Sequence, residues 1–114
     1  MLFRSLLETR GAAGVVARYR ALKRDSAQAY RWPGGLNPIG YRLLDKKKPQ
    51  DAVIVFRLSV EEYPDDWSPY DGLGQSYLAL ADTSKAIANY RRSLELNPKN
   101  QNAADVLKRL GTKP

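Results

Sequence analysis

The chain has 114 residues, 43% of them apolar, a formal charge of +7, and neither cysteine nor histidine. That length fits one domain with a packed core. Without cysteine there is no disulfide, thiolate or iron–sulfur chemistry; without histidine the commonest general base, zinc ligand and pH switch are missing.

In chain order, a first helix is predicted over about 2–10 and a second over about 12–24, with Val15, Val16, Tyr19 and Leu22 on one stripe. Arg31-Trp32-Pro33-Gly34-Gly35 reads as a loop. A third helix is predicted over about 36–46, with Pro38 in its first turn, where a missing N–H costs nothing, and Asn37 as a candidate N-cap. Lys46, Lys47 and Lys48 follow at its C-terminal end, where cations offset the helix dipole. The fourth, over about 50–62, has Pro49 near its start, Val53, Phe56 and Val60 as its buried stripe, and Pro64 as its stop. The fifth, about 69–81, takes Ser68 as N-cap and Pro69 as first residue, with Asp65 and Asp66 just upstream. The sixth, about 84–96, starts at a cap from Asp82 or Thr83 and stops before Pro98. The seventh, about 101–110, runs from the Asn100 cap to Gly111. The expected class is therefore all-α with about seven helices.

Residues 33–66 and 67–100 superpose without a gap at a spacing of 34. Gly40 meets Gly74, Leu44 meets Leu78, Ala52 meets Ala86, Phe56 meets Tyr90, Ser59 meets Ser93 and Pro64 meets Pro98. A period of that length, with small residues, aromatics and a closing proline at fixed places, is that of stacked antiparallel helix hairpins, an α-solenoid. At an offset of 71, Ser5 meets Ser76, Leu7 meets Leu78, Tyr19 meets Tyr90 and Arg20 meets Arg91. The expected organisation is one domain over 1–114: a truncated copy over 1–32, full copies over 33–66 and 67–100, and a polar capping helix over 101–111.

These residues resemble the tetratricopeptide repeat. Tyr70, Leu73, Gly74, Tyr77, Ala86, Tyr90, Ser93 and Pro98 follow its pattern, as do Leu36, Ile39, Gly40, Ala52, Phe56, Ser59 and Pro64, with Leu43 replacing an aromatic in the earlier copy. The resemblance implies a non-catalytic module that binds a peptide or protein partner in a concave groove lined by the first helix of each hairpin. The groove residues it implies are Asn37, Tyr41 and Leu44; Asp71, Gln75 and Leu78; and Asp105 and Arg109. Tyr41 stands out as a rigid amphipathic anchor. The Lys/Asn clamp of chaperone-binding relatives is absent, so that activity does not carry over. The stretch 36–110 also resembles the repeat tail that follows bacterial serine hydrolases of the beta-lactamase and esterase type. That resemblance implies an accessory tail packed on a catalytic domain.

No catalytic constellation is present in the sequence. Ser-x-x-Lys and Gly-x-Ser-x-Gly are absent, and no triad forms without histidine. Gly72-x-Gly74 is half of a dinucleotide fingerprint and reads as helix packing instead. No cofactor or metal is expected. Residues 1–48 hold eleven Lys/Arg against three Asp/Glu, while residues 49–114 hold eight against nine. The basic half allows a third reading, an adaptor for an anionic surface, but no base-reading motif accompanies it, which speaks against nucleic acid. Leu2, Phe3 and Leu6 begin the chain without a polar cap and imply self-association through that end. The segment 1–24 shares the Arg-rich, acid-poor composition of mitochondrial presequences, yet it aligns with the repeat. The longest purely apolar run, Ala52–Phe56, is far too short to span a membrane. A soluble, cytoplasmic protein is expected.

Overall fold

The computed structural model describes residues 11, 13–21 and 36–111. The predicted helix over 2–10, the 31–35 loop and the Leu2, Phe3, Leu6 cluster lie outside the described residues. Within them the fold is all-α, with six helices against the seven or so expected from the whole sequence: α1 (13–21), α2 (Asn37–Asp45), α3 (Pro49–Glu62), α4 (Trp67–Ala79), α5 (Thr83–Leu96) and α6 (Gln101–Arg109). Helices α2 and α3 pair as one hairpin, α4 and α5 as a second, and α6 packs on α5. No described helix is long and apolar enough to cross a membrane.

The two hairpins turn the chain in the same way. Lys47 and Ala81, equivalent positions of the two copies, both adopt a left-handed φ, 60° and 61°. Around them the N–H of Lys48 donates to the Leu43 carbonyl and that of Asp82 to the Tyr77 carbonyl, each at 2.9 Å. This six-to-one bond closes a helix end that glycine usually closes. Helix starts differ from the sequence expectation in two places. Asp66, not Ser68, caps α4, because its carboxylate accepts from the Ser68 N–H at 3.0 Å and the helix begins at Trp67. Asn37 is not an N-cap either: it is the first helical residue of α2, and buried Leu36 holds the cap position without a side-chain bond. Asp82 and Asn100 cap α5 and α6 by accepting from the N–H groups of Lys85 and Ala103.

The core is one cluster running from Val15 and Tyr19 of α1 to Val106 and Leu107 of α6. Its fixed points are aromatic rings seated on glycines. A Cβ on Gly40 would sit 2.5 Å from the Phe56 ring, and one on Gly72 would press on the same ring from the next helix. One on Gly74 would meet Tyr90 at 2.7 Å. The half-fingerprint Gly72-x-Gly74 is thus two ring contacts, one to the preceding hairpin and one within its own. Burying a side chain of this size contributes roughly 1.5–3 kcal/mol, and the missing methyls are what let the helices approach closely enough to do so.

Candidate binding face

Three helices, α2, α4 and α6, supply every residue proposed from the sequence for the groove. The buried stripes of α2 and α4 face their hairpin partners, leaving Tyr41 and Gln75 half-buried at the opposite edge. Tyr41 packs edge-on against Phe56, with ring centroids 5.0 Å apart. Its hydroxyl proton is shared between two acceptors, the Ser68 carbonyl at 3.2 Å and Asp71 Oδ2 at 3.3 Å. Its pKa is pushed up to about 12, first by burial and then by the Asp71 carboxylate. The side chain is therefore a neutral phenol with its proton held toward α4.

Asp71 is the centre of the arrangement. Only 5% exposed, it accepts four hydrogen bonds. Gln75 Nε2 reaches Oδ2 at 2.9 Å, beside the Tyr41 hydroxyl. Asn100 Nδ2 and Asn102 Nδ2 reach Oδ1 at 3.1 and 3.3 Å. Two oxygens with about four lone-pair sites are thereby filled. All four donors are neutral groups, and filling every lone pair in this way offsets the cost of burying the carboxylate. The network extends into α5, where Asn100 Nδ2 also donates to Ser93 Oγ at 2.8 Å and Ser93 Oγ donates to the Trp67 carbonyl at 3.1 Å. One carboxylate thus joins α2, α4 and the start of α6.

The other proposed residues lie around this centre. Leu44 and Leu78 are half-buried and packed on the core. Asn37 lies a turn before Tyr41, and its Oδ1 is buried with no partner among the described residues. Asp105 is exposed and accepts from Gln101 at 2.8 Å, outside the Asp71 network. Arg109 is exposed at the end of α6, close enough to act electrostatically on Tyr90. The structure therefore brings Tyr41, Asp71 and Gln75 together directly and leaves Asp105 apart.

Asn100 and Asn102 are parts of this face that the sequence reading did not assign to it. Asn100 reads as a cap and is one, and that role hid its side-chain amide. Asn102 stands one repeat period after Ser68, so the repeat itself carries the signal. A separate cleft of about 660 Å³ lies among α1, α3, α4 and α5, lined by Val16, Arg20, Ile54, Arg57, Leu73 and Tyr77. None of the proposed residues reaches it.

The tetratricopeptide-repeat family model matches residues 68–100, which span α4, α5 and the turn into α6. No curated protein matches the chain. The match is to the repeat and lends nothing to the resemblance to hydrolase tails.

Proposed function

We propose that this protein is an interaction module that takes an extended segment of a partner protein across the face of α2, α4 and α6. The observation that carries the reading is the Asp71 network. It fixes polar side chains from α2, α4 and α6 in one arrangement before any partner arrives, and such preorganisation reduces the ordering cost of binding. Leu44 and Leu78 flank it with apolar surface, and Tyr41 offers a rigid ring edge. The match of 68–100 to a repeat whose members bind proteins points the same way.

The test is a selection of displayed random peptides on the folded protein, followed by affinity measurements on three variants. Gln75→Arg and Leu78→Arg should each weaken the selected peptides about tenfold or more, in line with the loss of one good contact. Ile54→Arg, in the separate cleft, should leave them unchanged. Peptides that lose affinity to Ile54→Arg and not to the other two would overturn the reading.

A further inference from the structure

The cleft among α1, α3, α4 and α5 takes no part in the proposed face. Its volume, about 660 Å³, falls within the roughly 300–1,000 Å³ that small-molecule sites occupy. Its walls are largely apolar: Val16 from α1, Ile54 and Leu58 from α3, Leu73 and Tyr77 from α4. Leu58, Leu73 and Tyr77 are buried, whereas Ile54 is 40% exposed. Covering such an isoleucine with an apolar ligand removes apolar surface from water, which favours binding.

The charged groups at this cleft are paired, with one exception. Arg20 Nη2 of α1 meets Glu61 Oε2 of α3 at 3.1 Å and ties the two helices together. Lys85 Nζ lies 5.5 Å from the centre of the Tyr77 ring and 3.7 Å from Asp82 Oδ2. Asn89 adds a neutral amide, whose NH2 donates to the Lys85 carbonyl at 2.9 Å. Arg57 shares one face of α3 with Ile54, Leu58 and Glu61 and lines the cleft with them. It has no hydrogen bond or ion pair among the described residues. One guanidinium is thus left without a counter-ion beside an apolar cavity.

We propose that this cleft binds a small apolar monocarboxylate, an alkyl chain ending in one carboxylate. The chain lies against Val16, Ile54, Leu73 and Tyr77, and the carboxylate pairs with Arg57. A guanidinium is a planar fork of N–H donors that matches the two oxygens of a carboxylate. One negative charge then meets the one unpaired positive charge. A dianion such as a phosphate monoester leaves a charge over. An ammonium meets Arg57 with the same sign, and an uncharged chain leaves the fork empty. The site is separate from the peptide-binding face and stands or falls without it.

The experiment titrates the isotope-labelled protein by NMR with octanoate, octylammonium and 1-octanol. Octanoate should bind about tenfold more tightly than either, the scale of one hydrogen bond to a charged group. Its saturable shifts should centre on residues 16, 54, 57, 73 and 77. A protein of charge +7 attracts any anion loosely, so the place of the shifts and their dependence on Arg57 decide the result. Arg57→Gln alters an exposed side chain that makes no described bond. It should keep the native spectrum and reduce octanoate to the affinity of 1-octanol. Ile54→Gln should weaken octanoate and 1-octanol alike. Equal binding of the three ligands, shifts that do not saturate or that scatter over the surface, or an octanoate preference that survives Arg57→Gln overturns the site. Unchanged binding of both ligands to Ile54→Gln overturns it as well.

Discussion

The two hairpins share a period and a turn but are held by different forces. In α2–α3 the central ring is Phe56, gripped between Gly40 and Gly72 with only apolar contact. In α4–α5 it is Tyr90, seated on Gly74, with its phenol pKa pushed up first by burial and then by the Asp71 carboxylate. The following serine repeats the contrast. Ser93 Oγ is bonded on both sides, while Ser59 Oγ, its equivalent in the earlier copy and likewise buried, has no partner among the described residues. Asn100 supplies one of the two bonds: its equivalent in the earlier copy, Asp66, has no N–H to give Ser59, while the equivalent of Trp67, residue 33, lies outside the described residues. A repeat pattern therefore specifies the helix contacts, while the polar residues between copies decide which hairpin acquires a network.

The largest effect expected on that comparison comes from overpacking. Gly74→Leu places a branched side chain where even a Cβ would be 2.7 Å from the Tyr90 ring. It should cost about 3 kcal/mol, read as a fall in the urea midpoint. An unchanged midpoint would remove the ring-on-glycine account of the second hairpin.

The serine pair gives a smaller and sharper test. Ser93→Ala removes the hydroxyl bond to the Trp67 carbonyl and the acceptor of Asn100, and should cost about 1 kcal/mol. Ser59→Ala removes a hydroxyl without a described partner and should be neutral within about 0.5 kcal/mol. Equal losses at the two sites would mean that the hairpins are stabilised alike after all.

How much of this is legible in the sequence follows the same division. The hairpins, their turns and the glycine–aromatic contacts follow from the repeat period, because helix packing obliges small and large residues to recur. The start of α4 is ambiguous in the sequence because Ser68 and Asp66 are both good caps. Asp71 is legible as a face residue but not as a buried hub. That property needs Tyr41, Asn100 and Asn102, which lie 30, 29 and 31 residues away, to converge, and no local pattern encodes such convergence.

The smallest expected effect is in alkaline solution. Tyr41 has its pKa raised from 10.0 to about 12 in the folded protein. A raised phenol pKa favours the neutral form in the fold. Its contribution to stability is therefore complete below pH 10 and is lost as pH rises through about 12. Denaturation midpoints measured across that range should decline, and Tyr41→Phe should make the decline shallower. An identical slope in the variant would mean that burial and Asp71 do not hold its phenol neutral.

The central claim, that one face built from α2, α4 and α6 receives the partner, is tested most directly by site-specific photo-crosslinking with a peptide selected on the folded protein. A benzophenone side chain replacing Gln75 should capture the peptide, and one replacing Ile54 should not. Capture at Ile54 with none at Gln75 would contradict the account and move the binding site to the cleft among α1, α3, α4 and α5.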